Sequence, residues 1–485
     1  MTTLTPLPVF ESARCCVLEQ FRLFLDADSQ AAQLSDLMTA EEQVAAFTQE
    51  LGRAMLLQYV TTRSKQARQK PPVCQCGQDM TVHRVTTWNH KTLFGDVQVP
   101  DPYFYCRPCR ASARPLHPLL GTLRETYSMG LQEAAVDLVS DESCGNAVKK
   151  LERHHPGVVL ERTAGLRLLH SHGRAARRFL DGLLADAQQR TLRPAVAQST
   201  GPKEMEVEFD GGMIPVATLE PIAVPAGQLP KLSPVRRLPK RKRQCYWEEA
   251  KLGLVQIPGE VDRLYSVRPT TGLEASFNDL FSLACLKSWT PQTQVRGIAD
   301  GARHIRPRMQ EAFNGCDFKF ILDRPHAKEH LSAAGLALQA LTATPAQVWA
   351  TRALDILERG DAQVVVKELH DAWLSSGSNE TSRNDVLRRE ANYFDRNGDA
   401  VAYAAYRDLG WSTASSEVES AHRHVVQRRL KIPGAWWRPD QVDDVLALRM
   451  LKANGLWDAY WLSRRTQWRH NATQLSDKPI TRPTA

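Results

Sequence analysis

The pattern of apolar and polar residues changes its period near residue 203 of the chain. Before that point, apolar residues recur at three- and four-residue spacing, which predicts a mostly helical region. The predicted helices cover residues 18–25 and 41–59 and three short pieces within 127–175. Residues 73–118 interrupt them with short alternating pieces that are typical of β-strands, and residues 188–202 are a predicted linker.

After residue 203 the pattern predicts strands first, and then helices and strands in alternation. The strands are expected at 204–210, 246–256, 262–268, 295–300 and 317–322, with helices at 274–288 and 303–314. This order favours a ribonuclease-H-like α/β domain, in which a mixed sheet carries helices on both faces. Residues 326–410 have a helical pattern almost throughout and form a predicted insertion before a basic helix at 415–431.

These changes of pattern divide the chain into five regions, so the predicted fold class is multidomain α+β. The regions are N-terminal helices at 1–70, a cysteine module at 71–120, a helical region with its linker at 121–200, the α/β domain at 201–470 and a polar, disordered tail at 471–485. A chain of 485 residues is long enough for such a division. Neither a signal peptide nor an apolar run long enough to span a membrane is expected.

Four of the ten cysteines form two close pairs within the predicted cysteine module. They are Cys74 and Cys76, and Cys106 and Cys109. Tetrahedral zinc takes four thiolates, and close cysteine pairs on two turns supply them. The expectation is a structural zinc ribbon that presents Arg107, Arg110 and Arg114 to DNA; the alternative is four buried cysteines without metal.

The chain is basic, with a net charge of +8, which favours a polyanionic partner such as double-stranded DNA. Three short helices within 127–175 fit a helix-turn-helix domain, and the third carries Arg162, Arg167 and His170 for a groove or phosphates. The basic run at 238–244 is expected to be a solvated loop. Trp436 and Trp437 are expected to pack, with stacking on an unpaired base as the alternative.

Three acidic residues have local contexts that indicate metal chemistry. Asp210 and Asp300 each end a predicted strand and precede a glycine, and Glu419 opens the basic helix, followed by Arg423. Phosphodiester cleavage and strand transfer use two divalent metals, and Mg²⁺ or Mn²⁺ prefers carboxylate oxygens. We therefore take these acids as candidate catalytic metal ligands, and expect the glycines to let the DNA come close. The alternative for the first strand is an acidic edge strand with its charges in water.

Two of these assignments have competitors. Asp323 also ends an apolar strand, but strand order favours Asp300, because the second acid of a ribonuclease-H-like domain follows the fourth strand. Asp323 and His326 are then accessory residues that line the site. Glu417 competes with Glu419, and since residues two apart face different sides of a helix, the pattern alone does not choose between them.

A series of short motifs occurs in a fixed order between Cys74 and Trp461. They are the two cysteine pairs, residues 115–121, Phe209-Asp210-Gly211, residues 299–303, Leu322-Asp323 with His326, His330 and Leu331, and Val418-Glu419-Ser420. In order and spacing the chain resembles bacterial insertion-sequence transposases of the ISKra type, which are relatives of the Mutator-like group. The likeness covers most of the chain.

This resemblance implies a DDE-type transposase in which Glu419 is the third catalytic acid and a helical insertion precedes it. Such an enzyme binds transposon-end repeats, cleaves the phosphodiester at the element end and joins the 3′-hydroxyl to target DNA. Two ends must meet one target, so a homodimer or larger assembly is expected, acting in the bacterial cytoplasm at the nucleoid. Two alternatives stay open: a catalytically silent DNA-binding regulator and a ribonuclease-H-like nuclease.

Overall fold

The computed structural model describes residues 17–19, 21–23, 26, 36–121, 125–192, 201–221, 241–269, 272–376 and 381–476. Its fold is mixed α+β, which confirms that part of the predicted class. The chain divides into two compact units: the first comprises Met1–His172 and Trp457–Ala485, and the second comprises Gly173–Leu456. No helix in the described ranges has the length and apolar character needed to cross a membrane.

The first unit combines helices with a small antiparallel sheet. Its elements are α1 (Leu37–Gln69), β1 (Thr81–Thr92), β2 (Gly95–Tyr105), β3 (Ser112–Ala113), α2 (Leu116–Leu120), α3 (Met129–Val139), α4 (Cys144–His154), the first part of α5 (Arg162–Thr191) and α16 (Trp457–Ser476). The sheet has the order β1-β2-β3. Val60 of α1 packs on Trp88, Val97 and Val99 of the sheet, so burial of these apolar side chains holds the long helix in place.

Serine side chains cap the two helices that follow the sheet. Ser128 caps α3 by accepting from the Leu131 N–H, and Ser143 caps α4 by accepting from the Asn146 N–H. At the other end of this unit, His172 contacts the Tyr460 hydroxyl of α16 at 2.9 Å through Nδ1. Burial lowers the pKa of His172 to about 3, so it is a neutral residue of the core.

The second unit is built on a five-stranded mixed sheet. Its strands are β4 (Glu204–Pro221), β5 (Arg241–Gln256), β6 (Arg263–Pro269), β7 (Gln294–Ala299) and β8 (Phe318–Leu322). The spatial order is β6-β5-β4-β7-β8. β4 is antiparallel to β5, as β5 is to β6, whereas β4, β7 and β8 are parallel. Helices α6 (Leu273–Leu286) and α7 (Ile305–Ala312) connect the later strands.

A run of helices follows β8, as the sequence predicts for residues 326–410. These are α8 (Arg324–Thr342), α9 (Ala346–Glu358), α10 (Ala362–Ser375), α11 (Thr381–Asn397) and α12 (Tyr403–Asp408). Next, α13 (Ser416–Ala421) continues through a π-helical segment (His422–Gln427) into α14 (Arg428–Leu430). We call this continuous stretch, residues 416–430, the Glu419 helix. The unit closes with α15 (Pro439–Ala453).

The first acidic strand lies at the centre of this sheet and not at its edge. On one face of β4, Met205, Val207 and Phe209 are fully buried in the hydrophobic core. On the other face, Glu206 and Glu208 are only 3% and 1% exposed. The alternative of an edge strand with its charges in water is therefore wrong, because β5 and β7 flank β4 on both sides.

Several elements extend beyond their predicted ends. The first strand does not end at Asp210 as predicted: β4 continues to Pro221 as a two-stranded ribbon with β5. Pro221 pairs with Arg241, so residues 241–244 lie in a strand and not in a loop. Residues 238–240 lie outside the described ranges. Helix α5 runs to Thr191 through the start of the predicted linker, and the boundary between the units falls inside this helix. Helix α16 reaches Ser476, past the predicted start of the tail, and the rest of the tail lies outside the described ranges.

Two glycines of α5 give a matched test of packing in the second unit. A Cβ at Gly173 would lie 2.6 Å from the Asp444 Cα of α15, whereas a Cβ at Gly182 meets nothing within 4 Å. We expect Gly173→Ala to lower the free energy of unfolding by about 1–3 kcal/mol through overpacking. Gly182→Ala should raise it by up to about 1 kcal/mol through helix propensity. Urea denaturation measures both, and stabilisation by Gly173→Ala would contradict this packing.

Candidate active site and metal centre

The four cysteines of the first unit converge as predicted. Their sulfur atoms all lie within 4.8 Å of one another, and the Cys76 and Cys106 sulfurs are 3.7 Å apart. Four ligands at about 2.3 Å from a tetrahedral zinc have sulfurs about 3.8 Å apart. The cluster could therefore hold a metal ion such as zinc.

Two tight turns bring the cysteines together. In the first, the Gly77 N–H donates to the Cys74 carbonyl at 2.8 Å, and Gly77 has a φ of 81°, which favours glycine. In the second, the Cys106 N–H donates to the Ala111 carbonyl at 2.8 Å. Each turn thus buries one cysteine of its pair, Cys74 or Cys106, and leaves the other exposed.

Two basic residues that the sequence analysis assigns to DNA are instead structural. Arg114 forms an ion pair with the fully buried carboxylate of Asp101 in β2, and His117 lies 3.3 Å from the same oxygen. A buried carboxylate needs such partners, so the role of Arg114 is to stabilise Asp101 in the folded unit. His170 is only 6% exposed and faces the interior of the unit. Among the arginines that were predicted to contact DNA, four are exposed: Arg107, Arg110, Arg162 and Arg167.

In the second unit, three aspartates come together at one end of the parallel strands. Phe209 pairs with Ala299 in the β4–β7 ladder, so Asp210 and Asp300 follow side by side on the same face. Ala299 pairs in turn with Leu322 of β8, and the Asp323 N–H donates to the Ala299 carbonyl at 2.9 Å. Burial raises the pKa of Asp210, and the charge of Asp300 adds to that effect, while His422 and His326 oppose it.

The backbone that follows Asp300 is held by α11 of the helical insertion. The Gly301 N–H donates to the Tyr393 hydroxyl at 3.3 Å, and Asn397 Nδ2 donates to the Gly301 carbonyl at the same distance. Tyr393 stacks on His330 of α8, with ring centroids 3.7 Å apart. Asp300 itself accepts from the Ala302 N–H at 2.7 Å. The insertion thus fixes the position of this carboxylate.

Asp323 is occupied by protein donors on both of its oxygens. One accepts from the Ser415 N–H at 2.6 Å and from the Ser415 hydroxyl at 3.0 Å, and the other contacts the His326 N–H and Nδ1. Burial alone would raise the pKa of Asp323, but the bonds from His326 and Ser415 lower it. The Asp323 hydrogen bond raises the pKa of His326 to about 9, so His326 is cationic at neutral pH, near Asp210 and Asp300.

Glu208 anchors the Glu419 helix on β4. Its carboxyl accepts from the Val418 N–H at 2.7 Å. Burial raises the pKa of Glu208 to about 8, so the group is protonated at neutral pH. Alternation places Glu208 on the acidic face of its strand but does not show that this face is buried, so the role of Glu208 could not be predicted from the sequence.

The two competing glutamates lie on different sides of the Glu419 helix. Glu417 pairs with Arg263 of β6 at 3.1 Å. Glu419 lies on the face that it shares with Ser415 and His422, four residues before it and three after. Ser415 contacts Asp323, and His422 Nε2 lies 3.6 Å from the Asp210 carboxylate. Glu419 therefore lies on the side of the helix whose other residues contact Asp323 and Asp210.

Glu419 and Arg423 are exposed, whereas Asp210 and Asp300 are half-buried. Apart from the cysteines, no three acidic, histidine or cysteine side chains within the described ranges have ligand atoms that all lie within 4.8 Å of one another. Asp210, Asp300 and Glu419 therefore do not form a tight cluster in the structure.

The glycines after the aspartates are required by close packing within the protein. A Cβ at Gly212 would lie 2.5 Å from His422 Nδ1, and a Cβ at Gly301 would lie 2.7 Å from the Tyr393 ring. These contacts give the glycines a role inside the fold, and their expected role in admitting DNA stays a prediction. His422 is a residue of this site that the sequence analysis did not include, and its spacing of three from Glu419 is the signal that points to it.

Comparisons with known proteins do not assign the chain to a family. No protein-family model matches the sequence, and no curated protein matches it significantly.

The cysteine cluster makes a prediction about metal content. We expect the purified protein to contain about one zinc ion per chain, and Cys109→Ser to remove it because three thiolates and a hydroxyl bind zinc more weakly. Cys245→Ser, at an exposed cysteine outside the cluster, is the matched control and should keep the metal. Metal analysis by mass spectrometry measures this, and undiminished zinc in Cys109→Ser would contradict the assignment.

Glu208 makes a prediction about pH. Folding raises its pKa from 4.5 to about 8, so its stabilising contribution is complete below pH 4.5 and is lost as the pH rises through 8. Glu208→Gln keeps an acceptor for Val418 without the charge. Without added divalent cations, the free energy of unfolding of the variant should rise relative to that of wild type by on the order of 1 kcal/mol per pH unit between pH 5 and 8. Glu329→Gln, at an exposed residue, should show no such trend, and a flat difference for Glu208→Gln would contradict the prediction.

Proposed function

We propose that this chain is a DDE-type DNA transposase of the kind that its motifs resemble, the ISKra group of insertion sequences. Its second unit would be the ribonuclease-H-like catalytic domain, and Asp210, Asp300 and Glu419 its catalytic metal ligands. One observation carries the proposal: Asp210 and Asp300 lie next to the last residue pair of the parallel β4–β7 ladder, and buried hydrogen bonds hold a helix bearing a glutamate at the same place.

The order of the strands supports this proposal. Three strands joined in antiparallel fashion are followed by two parallel ones on the other side of the first, which gives β6-β5-β4-β7-β8. This is the sheet expected for a ribonuclease-H-like domain, with the first acid on the first strand and the second acid after the fourth. Asp210 and Asp300 occupy those two positions. Asp323 follows the fifth strand, and its oxygens already accept protein hydrogen bonds.

The chemistry of the side chains fits this reaction. When bound, two Mg²⁺ or Mn²⁺ ions supply an activated water or 3′-hydroxyl and stabilise the leaving oxygen. Asp210 and Asp300 offer rigidly placed carboxylates of the kind that these ions prefer. The cationic His326 beside them would attract the scissile phosphate, and the exposed Arg423 would neutralise a neighbouring one.

The first unit would recognise the DNA in this scheme. We propose that the cysteine cluster is a zinc ribbon and that it binds transposon ends together with the α3–α5 helices. The exposed arginines on these elements, Arg107, Arg110, Arg162 and Arg167, would contact phosphates or base edges. Since two element ends have to be joined to one target, the active form would be a homodimer or larger assembly on double-stranded DNA.

The test is a combined excision and integration assay with Mg²⁺. It uses a marked element whose ends are the DNA sequences that flank this gene. We expect Asp300→Asn to lower movement by more than about 100-fold, the upper end of what outer-shell substitutions at metal sites cost. Asp385→Asn, at an exposed aspartate of α11, is the matched control and should move the element like wild type.

Binding to the ends, measured with the same proteins, separates the alternatives. Persistent end binding by Asp300→Asn together with lost movement would support catalysis at this edge. Equal movement by wild type and Asp300→Asn would contradict the role of Asp300. End binding without movement by wild type would favour a DNA-binding regulator, and cutting without preference for the ends would favour a ribonuclease-H-like nuclease.

A further inference from the structure

An exposed aromatic surface lies on the β4–β5 ribbon of the second unit. Trp247 of β5 is 54% exposed and Trp436 is 38% exposed, and their ring centroids are 6.2 Å apart at an angle of 60°. The ammonium group of Lys431 lies 5.8 Å from the centre of the Trp247 ring. We call these three residues the aromatic platform.

The platform is held rigidly by its neighbour Trp437. The Trp437 backbone exchanges two hydrogen bonds with β4: the Ala217 N–H donates to its carbonyl at 2.7 Å, and its own N–H donates to the Pro215 carbonyl at 3.2 Å. Its indole N–H donates to the Leu430 carbonyl, and the Arg429 guanidinium lies over its ring. Trp437 is therefore a packing residue, and it fixes the adjacent Trp436 at the surface.

The surroundings of the platform are basic. Alternation along β5 places Arg241 and Arg243 on the same face as Trp247, and both are exposed. Glu249, the nearest acid on that face, pairs with Lys251 at 2.7 Å. Large apolar side chains such as tryptophan are unfavourable in contact with water, so an exposed pair of them often marks a binding surface. Here the two rings offer stacking surfaces, and the cations around them offer positive charge. Unpaired nucleotides offer flat aromatic faces on an anionic backbone, which this combination fits.

We propose that the aromatic platform binds single-stranded nucleic acid, with a base stacked on Trp247 or Trp436 and its phosphates near Lys431, Arg241 and Arg243. Trp247 pairs with Pro215, five residues along β4 from Asp210, which places it about 17 Å from the proposed catalytic edge along the strand. In the proposed transposase, this surface would hold nucleotides that become unpaired beside the cleaved end. The binding itself does not depend on catalysis.

The test is fluorescence anisotropy with a labelled oligothymidylate of about 15 nucleotides and the full-length protein, without divalent cations. Trp247→Ala and Trp436→Ala should each weaken binding at least about five-fold, the lower limit for one lost stacked base. Trp247→Phe keeps a ring and should bind within about two-fold of wild type. Lys431→Ala should weaken binding and should lower the slope of log binding constant against log salt concentration by about 0.7 in magnitude. Lys367→Ala removes an exposed lysine of α10 and should change neither.

Circular dichroism and light scattering accompany each variant to report folding and oligomer size. Unchanged binding by folded Trp247→Ala and Trp436→Ala would overturn the proposal. A smaller assembly with unchanged oligonucleotide binding would also overturn it, because the surface would then be a protein interface. Asp300→Asn should bind the oligonucleotide like wild type. If the proposed catalysis proves wrong, the oligonucleotide binding can therefore still be observed. If the oligonucleotide does not stack on the platform, the transposition assay still tests the catalytic proposal.

Discussion

A single buried carboxylate, Asp323, ties together the elements that form the candidate site. It ends β8, is fully buried and accepts from donors on both α8 and the segment before the Glu419 helix. A buried charge without partners costs several kcal/mol, so these donors have to stay in place when the second unit is folded. Because Ser415 supplies two of them, the helix that carries Glu419 is fixed at the end of the sheet where Asp210 and Asp300 lie.

The acids at this end of the sheet therefore fall into two groups. Asp323 and Glu208 are buried, and protein donors satisfy them. Asp210 and Asp300 are half-buried and Glu419 is exposed, so their oxygens remain accessible to a ligand. A metal site needs both kinds of acid, because carboxylates that bind an ion must be accessible and must also be held in place by groups that are not. The proposed roles follow this division.

Part of this organisation could be predicted from the sequence. The alternation at 204–210 was enough to predict a strand with one apolar and one acidic face, since a period of two follows from strand geometry. The close cysteine pairs were enough to predict a four-sulfur cluster. Burial could not be predicted, because it depends on elements that are distant in sequence. Glu208 is buried and accepts a hydrogen bond from Val418 of the distant Glu419 helix, and Arg114 of a later segment pairs with the buried carboxylate of Asp101 in β2.

The choice between Glu417 and Glu419 shows how buried contacts decide what a local pattern leaves open. Residues two apart on a helix differ in direction by about 200°, so the rotation of the helix about its axis determines which one faces the aspartates. The Val418 bond to Glu208 and the Ser415 bonds to Asp323 set that rotation. Turning Glu417 toward Asp210 would break both contacts and leave buried oxygens unsatisfied, at a cost of about 1–3 kcal/mol each. The same buried acids that position the helix thereby keep Glu417 on the side where it pairs with Arg263.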